Sequence, residues 1–351
     1  MQVQGAAQPL VSVIVPVYNK AAFVGDMMRS VLEQDVGSLE LICVDDCSTD
    51  ESVQVVERFA EQDPRVRLVR HECNQGPGAA RNTGITRASG TFLAFLDADD
   101  WYNDETYLRR LCQGALDGGV LAAGASLCNV WSKGFVERDF SDNPEFSGYT
   151  FKESGIVDYR DYQFDYGSPR FVYARSLFED RSLWFDSRTF FEDPIVMARA
   201  LCKAGSFYAD AHAAYMYRQE YRRSNWSTRK VIDFLEGVRL NLELSREKRL
   251  ARLHWLTLRH MEWESYDVGV GVNRNIDTAA VSRKLAEVEA AVDHELIASY
   301  DPKMVGFVSY MRHKIELAGP SGYAGAVAAL KFRAWHNRLW YEWENRKKLR
   351  G

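Results

Sequence analysis

The feature that most limits the fold is an alternation of strand-like and helix-like segments through the first hundred residues. Short runs rich in β-branched residues alternate with segments whose apolar residues recur at helical spacing. Strands that follow one another through helices of this length form right-handed crossovers in a parallel sheet. The pattern therefore predicts an α/β fold, with strands over residues 10–17, 39–44, 66–69 and 91–96 and helices over 23–34, from 48 onward and over 79–88.

Polar and acidic residues follow or end three of these predicted strands. Tyr18 and Asn19 follow the first strand, Asp45 and Asp46 end the second, and the fourth leads into the acidic segment 97–100. Ligands of open parallel sheets bind outside the carboxyl ends of the strands. The acidic residues are therefore concentrated where a binding site is expected.

Composition and charge exclude several classes of protein. Hydrophobic residues make up 46 % of the 351 residues and charged residues 26 %, which are ordinary values for a folded protein. No apolar run reaches the roughly 20 residues that span a bilayer, and the first residues lack the basic start and apolar stretch of a secretory signal. The net charge of −5 argues against nucleic-acid binding. Six cysteines without paired metal-ligand spacing favour reduced thiols in a cytoplasmic protein.

Charge also divides the chain into two parts. Residues 1–227 are net acidic, whereas residues 228–351 are net basic. The second part carries amphipathic helical spacing over 231–256 and 282–298. We therefore expect a catalytic α/β domain over 1–227, followed by a mainly helical C-terminal region over 228–351.

Three carboxylates stand within four residues after the fourth strand: Asp97, Asp99 and Asp100. Like charges at this spacing repel one another, so a cation or a donor-rich ligand is expected to compensate them. Carboxylate oxygens favour Mg²⁺ or Mn²⁺, ions that also bind substrate phosphates. A solvated acidic turn is the alternative interpretation, because a lone Asp-x-Asp is a weak signal.

Four motifs follow one another in the first hundred residues. They are Val-Ile-Val-Pro-Val-Tyr-Asn at 13–19, Val-Asp-Asp-Cys-Ser-Thr-Asp at 44–50, Gly-Ala-Ala-Arg-Asn-Thr-Gly at 78–84 and Phe-Leu-Asp-Ala-Asp-Asp at 95–100. In order and spacing they resemble the family 2 glycosyltransferases of GT-A fold. The resemblance implies a Rossmann-like mixed sheet with flanking helices. Its first half, residues 9–105, would bind a nucleotide sugar, and its second half, residues 106–227, would bind the acceptor.

The resemblance also implies roles for the residues of the donor site. The nucleotide and the donor sugar would be held by Pro16, Tyr18, Asn19, Asp46, Arg81, Asn82, Asp97 and Asp100. Among them, Asp46 would accept a hydrogen bond from the base, usually uracil, and Asp97 would reach the ribose or the sugar. Asp99 would coordinate the Mn²⁺ or Mg²⁺ ion, with Asp100 supporting it or touching the donor sugar.

A fifth motif, Phe-Phe-Glu-Asp-Pro at 190–194, resembles the Glu-Asp motif of the family's acceptor half. It implies that Asp193 is the general base, with Glu192 beside it. Transfer with inversion needs one base that takes the proton of the acceptor hydroxyl during its attack. The positive end of the helix begun by Pro194 would lower the pKa of Asp193, and we expect an apolar setting to raise it. Ordinary acidic capping of that helix is the alternative.

A Tyr-x-Tyr-Arg…Ser segment late in the predicted domain resembles the family's closing segment. Arg218, with Arg222 or Arg223, would hold the diphosphate as this loop orders over the donor. Some members place a metal-binding histidine near this point, where this chain has Gln219. His212 is interpreted as structural, which leaves open whether a histidine completes the metal site.

The last residues form a basic, aromatic and amphipathic pattern over 326–350. Two interpretations stay open. Such a helix packs against the rest of the protein or against a second copy, giving a homodimer through the C-terminal helices. Alternatively, it lies peripherally on the anionic inner face of a membrane, where lipid-linked acceptors reside.

Together these features predict an inverting, metal-dependent glycosyltransferase of hexosyltransferase type. It would move a sugar from a nucleoside-diphosphate sugar, with UDP as the expected nucleotide, to a glycan or lipid-linked acceptor in cell-surface polysaccharide or glycoconjugate synthesis. A nucleotidyltransferase of related fold is one alternative, but it would need a glycine-rich loop that residues 16–20 lack. A non-catalytic scaffold that binds nucleotide sugar or glycan is the other, and it would not need the intact Glu192–Asp193 pair.

Overall fold

One mixed sheet organises the first of two units, Met1–Glu220. The structure, a computed structural model, describes residues 8–131, 134–219, 226–270, 276–309 and 312. The strands that it describes are β1 (Val11–Val17), β2 (Leu39–Asp45), β3 (Val66–Arg70), β4 (Phe92–Phe95), β5 (Trp101–Tyr102), β6 (Ala122–Trp131), β7 (Val136–Glu137), β8 (Gly155–Asp158), β9 (Phe171–Ala174) and β10 (Ser206–Gln219).

Helices flank this sheet. They are α1 (Val24–Leu32), α2 (Ser52–Gln62), α3 (Pro77–Arg87), α4 (Tyr107–Gly118), α5 (Tyr159–Tyr162) and α6 (Asp193–Ala204). Short 3₁₀ turns lie at Ser147–Tyr149, Ser168–Arg170, Arg175–Glu179 and Arg181–Leu183. The strands and helices predicted for the first hundred residues are confirmed, with ends displaced by a few residues.

The strand order is β3-β2-β1-β4-β9-β6-β10-β5, with β7 beside β6 and β8 beside β10. β2 and β4 both run parallel to β1, and β3 runs parallel to β2. β9 runs antiparallel to both of its neighbours, β4 and β6. The predicted mixed sheet with flanking helices is therefore confirmed. The chain moves outward from β1 to β3 and then returns to the other side of β1, so the strand order reverses between β1 and β4, where α/β sheets form their binding crevice.

Helices cover both faces of the sheet, and successive residues of β1 point alternately to the two faces. Val11 and Val13 belong to the apolar core that includes Met27 of α1. On the other face, Ile14 lies against α3, where a Cβ added to Gly84 would come within 2.3 Å of its Cγ2. α3 therefore approaches the sheet this closely only because Gly84 has no side chain.

The described part of the second unit, Tyr221–Gly351, is helical. Its helices are α7 (Thr228–Lys248), α8 (Ala251–Val270), α9 (Thr278–Ala291) and α10 (His294–Tyr300), with a 3₁₀ turn at Pro302–Met304. Among the described helices of the chain, none combines the length and apolar character that crossing a bilayer requires. The predicted helix over 326–350 lies outside the described residues, so its membrane contact and its part in dimerisation stay predictions.

The predicted helical character of the described residues in this unit is confirmed, but each of the two predicted helices is divided in two. The predicted helix 231–256 is interrupted at Arg249, whose left-handed backbone (φ 56°) ends α7 before α8 begins. The predicted helix 282–298 is interrupted at Val292 and Asp293, whose side chain caps α10 by accepting from the N–H of Leu296 at 2.8 Å. Apolar spacing continues across both breaks, so periodicity alone does not reveal them.

Candidate active site

The loops after β1 and β2 are joined at the point where the strand order reverses. Asn19 adopts a left-handed backbone (φ 52°), and its Oδ1 accepts from the N–H groups of Thr49 at 2.8 Å and Asp50 at 3.3 Å. Pro16 lies within β1 and is half-buried, while Tyr18 is 45 % exposed at the edge of the crevice. The predicted nucleotide-holding segment is thereby fixed at the carboxyl end of the parallel strands.

Asp46 directly follows β2 and is buried. Its Oδ1 lies 2.8 Å from His71 Nδ1 and accepts from the N–H of Gln75 at 2.9 Å, while Oδ2 accepts from the N–H of Gly76 at 2.8 Å. These bonds fix the loop that leads into α3. A carboxylate offers about four acceptor positions, so the base of a bound nucleotide would have to use the one position that these three partners leave. The predicted contact of Asp46 with the base stays a prediction.

Arg81 of α3 connects two carboxylates from distant parts of the chain. Its Nη2 lies 2.8 Å from Asp97 Oδ1, its Nη1 lies 2.7 Å from Glu192 Oε1, and its guanidinium lies 5.2 Å from the ring centre of Phe185. Burial by itself would lower the pKa of Arg81, but Asp97, Glu192 and Asp193 together raise it above its ordinary value. One buried cation thus connects the predicted donor side of the site with the predicted acceptor side.

The start of α3 also holds the segment that contains Phe185. Asn82 Nδ2 donates to the carbonyl of Phe185 at 2.7 Å, and Asn82 Oδ1 accepts from the N–H of Phe185 at 3.0 Å. A Cβ on Gly78 would lie 2.8 Å from the carbonyl oxygen of Asp186, so this approach requires glycine. Asn82 therefore binds protein backbone in this structure, and its predicted place near the nucleotide stays a prediction.

Asp97 and Asp99 keep part of their surface in contact with solvent. Their side chains are 31 % and 27 % exposed, respectively, and the two carboxylates form ion pairs with different basic side chains. Asp97 pairs with Arg81, whereas Asp99 accepts a hydrogen bond from Nζ of Lys20, in the loop after β1. Two of the three clustered carboxylates are therefore compensated by basic side chains of the protein itself.

Asp100, the third carboxylate of the cluster, is buried. It accepts from the hydroxyl of Tyr215 at 2.5 Å and from the backbone N–H of Arg218 at 2.8 Å. Burial is the main cause that raises the pKa of Asp100 well above its ordinary value, and the charge of Asp97 adds to the effect. In this structure, Asp100 thus anchors the end of β10 to the loop after β4.

Arg218 lies directly beside the acidic cluster. Its guanidinium carbon is 4.7 Å from the ring centre of Phe23 and 4.7 Å from that of Trp101. Its Nε donates to the carbonyl oxygen of Asp99 at 2.8 Å. Within the described residues, the terminal Nη atoms of Arg218 have no hydrogen-bond partner. Arg218 is thus held in place by the hydrogen bond of its Nε and by the two flanking rings, and its terminal Nη atoms remain available as donors.

Neither His212 nor Gln219 completes a metal site in the described part of the chain. His212 is 61 % exposed, and its Nε2 lies 3.2 Å from Asp104 Oδ2. Gln219 Nε2 donates to Asn129 Oδ1, in β6, at 3.1 Å. In the part of the chain that the structure describes, no group of three or more His, Cys, Asp or Glu side chains is arranged to hold a metal ion. Arg222 and Arg223 lie outside the described residues.

Asp193 lies at the first position of α6. It follows a turn in which Phe191 adopts a left-handed backbone (φ 63°), unusual for so bulky a residue, and Arg188 Nη1 donates to the carbonyl of Phe191 at 3.0 Å. Asp193 keeps some contact with solvent, yet burial raises its pKa to about 7, with the charge of Glu192 adding to the effect. Arg81 acts in the opposite direction. The expected rise in the pKa of this carboxyl group is therefore present.

Two side chains at this site were not predicted. Tyr217 exposes 38 % of its surface; its partial burial, together with the charges of Asp100 and Asp97, raises its pKa above the ordinary value. Alternation along β10 places it on the same face as Tyr215, a signal that was available in the sequence. Lys20 directly follows the first motif, but only the pairing of β1 with β4 brings it to Asp99.

Residues 12–180 match the sequence profile described as Glycosyl transferase family 2. Succinoglycan biosynthesis protein ExoO of Rhizobium meliloti (strain 1021) is 34 % identical over 215 residues, which are 60 % of this chain and 60 % of that protein. GalNAc(5)-diNAcBac-PP-undecaprenol beta-1,3-glucosyltransferase of Campylobacter jejuni is 28 % identical over 220 residues, or 62 % of this chain and 67 % of that protein. The chain thus spans about three fifths of the length of the first of these curated relatives.

A solved structure shows the same fold. The crystal structure of S. aureus TarS 1–349 in complex with UDP-GlcNAc superposes with a TM-score of 0.70 at 20 % identity, covering 93 % of this chain and 92 % of that chain. The matched profile includes the parallel strands β1 to β4, Arg81 and the acidic cluster, whereas Asp193 lies beyond its end. Residues 12–180 therefore belong to glycosyl transferase family 2.

Proposed function

We propose that this protein is an inverting, metal-dependent glycosyltransferase that moves a sugar from a UDP-sugar to a hydroxyl group of a glycan or lipid-linked acceptor. The observation that carries the proposal is the bridge made by Arg81. One buried guanidinium connects Asp97, at the end of the parallel strands, with Glu192, beside the predicted base. This bridge joins carboxylates suited to the divalent cation of a donor diphosphate to the segment that carries a carboxylate suited to proton transfer.

The donor would bind along the carboxyl ends of β1, β2 and β4. The backbone of Pro16, Tyr18 and Asn19 would hold the nucleoside, with Asp46 as the acceptor for the base. Arg218 would bind the diphosphate through its terminal nitrogens, which lack partners among the described residues. A guanidinium suits this task because it forms two parallel hydrogen bonds to phosphate oxygens.

The donor atoms after β4 fit a divalent cation. Asp99 is partly exposed, and a positively charged ammonium already lies against its carboxylate. Mg²⁺ and Mn²⁺ bind through one or two carboxylates together with substrate phosphates, so Asp99 with one neighbouring aspartate is sufficient. When bound, the cation would offset the negative charge that develops on the departing diphosphate.

Asp193 would act on the acceptor. As the acceptor oxygen forms its bond to the anomeric carbon, the proton of the hydroxyl passes to the Asp193 carboxylate. The bond between the anomeric carbon and the diphosphate oxygen breaks, its electron pair leaves with UDP, and the anomeric configuration inverts. A base is most effective when its pKa lies near the working pH, and the pKa of about 7 meets this condition.

The relatives support this assignment. The Campylobacter jejuni protein is named as a beta-1,3-glucosyltransferase with an undecaprenol-linked acceptor, and the TarS structure contains UDP-GlcNAc. ExoO is named for succinoglycan biosynthesis. We extend these properties to the present chain as a role in cell-surface polysaccharide or glycoconjugate synthesis, at or near the inner face of a membrane.

A ligand screen tests the donor assignment. Ligands that bind the native state raise its melting temperature, so UDP-, GDP- and dTDP-sugars are compared with and without Mn²⁺. We expect the largest increase with a UDP-sugar and Mn²⁺. Asp99→Asn should weaken UDP binding only when Mn²⁺ is present, as measured by calorimetry. Asp180→Asn is the matched control, because Asp180 forms an exposed pair with Lys203.

Turnover tests the chemistry. UDP release from the donor that the screen identifies should fall by about 10²- to 10⁴-fold in Asp193→Asn, while UDP affinity stays within a few-fold of the wild type. Full turnover by that variant would remove the base assignment. Wild-type protein that binds the donor tightly but releases no UDP with any acceptor would instead support the non-catalytic scaffold.

A further inference from the structure

Lys20 reaches from the loop after β1 to the loop after β4. Its backbone N–H donates to Ser52 Oγ at 2.7 Å, which fixes the backbone of Lys20, and its Nζ donates to Asp99 Oδ2. The side chains of Lys20 and Asp99 are 23 % and 27 % exposed, respectively. The ion pair therefore lies within the crevice and keeps contact with solvent.

The other two cations beside the acidic cluster are committed elsewhere. Arg81 is buried between Asp97 and Glu192. Arg218 lies between two aromatic rings and contacts the backbone carbonyl of Asp99, not its carboxylate. Among the described residues, Lys20 is thus the cation that neutralises the Asp99 side chain.

We propose that Lys20 is a movable cation of the diphosphate site, with two successive partners. While the site is empty, its ammonium neutralises Asp99; when a divalent cation takes Asp99, the ammonium moves to the diphosphate. This inference rests on the proposed function, because it requires that Asp99 is the ligand of the divalent cation. It adds to that function a phosphate-binding residue and a competition for the metal ligand.

The chemistry of lysine supports such a movement. Its ammonium is a compact charge on a flexible stem, whereas the planar guanidinium of Arg81 is fixed by two partners. An ammonium and a divalent cation on the same carboxylate repel each other, so binding of the ion displaces Lys20 from Asp99. The diphosphate that accompanies the ion supplies new negative oxygens, while the hydrogen bond to Ser52 keeps the lysine backbone in place.

The proposal predicts opposite effects of one substitution on two ligands. In the absence of nucleotide, Lys20→Gln should bind Mn²⁺ about tenfold more tightly than the wild type, because the competing ammonium is gone. At saturating Mn²⁺, the same variant should bind UDP about tenfold more weakly, because the diphosphate loses a charged donor. Calorimetric titrations of the full chain with Mn²⁺ alone, and with UDP after Mn²⁺, measure both quantities.

Three variants control the experiment. Lys20→Arg keeps the charge, so its affinity for Mn²⁺ should stay near that of the wild type. Lys203→Gln removes a lysine from its exposed pair with Asp180, 2.7 Å away, and should change neither titration. Lys20→Ala repeats the test in case the glutamine variant folds poorly, with circular dichroism and the melting temperature reporting the fold.

The outcomes separate this inference from the proposed function. The inference is overturned if Mn²⁺ binds through Asp99 with equal affinity in the wild type and Lys20→Gln, or if UDP affinity at saturating Mn²⁺ does not change. Wild-type protein that binds neither Mn²⁺ nor any UDP-sugar contradicts the proposed function itself. Tighter Mn²⁺ binding together with weaker UDP binding supports the inference.

Discussion

Replacing Arg81 by methionine perturbs the charge arrangement on which the site depends. Arg81 is 5 % exposed and contacts Asp97 at 2.8 Å and Glu192 at 2.7 Å. Methionine keeps much of the apolar stem but removes the guanidinium, so both carboxylates lose the cation that they share. Removal of one partner from a buried ion pair costs about 3–5 kcal/mol, because the remaining charge is left without compensation.

The exposure of the two carboxylates determines how much the free energy of unfolding should fall. The Asp97 side chain is 31 % exposed, so water reduces its share of the cost, whereas the Glu192 side chain is only 8 % exposed. We therefore expect the free energy of unfolding of the first unit to fall by about 3 kcal/mol, the lower end of that range. For a unit of this size, each kcal/mol corresponds to about 2–4 °C, so the melting temperature should fall by about 6–12 °C.

The same substitution should change the pH dependence of activity. Arg81 lowers the pKa of Asp193, which is about 7 in the wild type because burial and Glu192 raise it. Without Arg81, this pKa rises further, so the increase of kcat/KM with pH should move to higher pH. Arg81→Lys keeps one charge but cannot repeat the two-sided contact of the guanidinium. It should therefore melt at an intermediate temperature and keep a pH profile close to that of the wild type.

Thermal unfolding followed by circular dichroism measures the first effect, and initial rates of UDP release between about pH 5.5 and 9 measure the second. Arg70→Met is the matched control, since it removes an exposed arginine from its pair with Glu57 at 2.6 Å. That change should cost about 1 kcal/mol or less. A methionine variant at position 81 that is as stable as the control, or whose pH profile does not move, would refute the bridging role of Arg81.

Three other perturbations test separate parts of the molecule. In the wild type, kcat/KM should fall about tenfold for each pH unit below the pKa of Asp193, about 7, and a rate that does not change with pH over this range would contradict the assignment of the base. In the second unit, burial lowers the pKa of His254 to about 4, against about 6.5 in an unfolded chain. The neutral His254 therefore contributes up to about 3 kcal/mol to the free energy of unfolding, which is fully present above pH 6.5 and is lost as the pH falls toward 4. Urea unfolding of the His254→Gln variant should show a smaller dependence on pH. Gly84→Ala should cost about 1–3 kcal/mol, because the new Cβ would lie 2.3 Å from Ile14 Cγ2; combination with Ile14→Ala should cost less than the sum of the two single changes, and simple additivity would exclude the clash.

Local pattern predicted the first hundred residues well because local and tertiary preferences agree there. The segment Val11–Val17 is rich in β-branched residues, and both faces of the strand are buried, so no competing structure is favoured. In the second unit, the same method missed the breaks at Arg249 and at Asp293. A single left-handed residue or a cap ends a helix without disturbing the apolar spacing on either side.

The chemical content of the candidate site was also readable from the sequence. Asp97, Asp99 and Asp193 belong to short motifs, and the chemistry that needs them requires particular residue types at adjacent positions. The motifs gave no role to Lys20, which directly follows the first of them, or to Tyr217, which is the second tyrosine of the Tyr-x-Tyr-Arg segment. The relevance of Lys20 comes from the pairing of β1 with β4, which brings it beside Asp99, whereas alternation along β10 already places Tyr217 on the same face as Tyr215.

The sequence by itself thus determined the class of the fold, the family and the set of acidic groups, since these depend on residue type and spacing along the chain. The tertiary structure decided which charges meet. Arg81 pairs with Glu192, 111 residues further along, and Lys20 with Asp99, 79 residues further along. The physical reason is that an ion pair depends on distance in space, which the path of the chain through the sheet sets and no local pattern records.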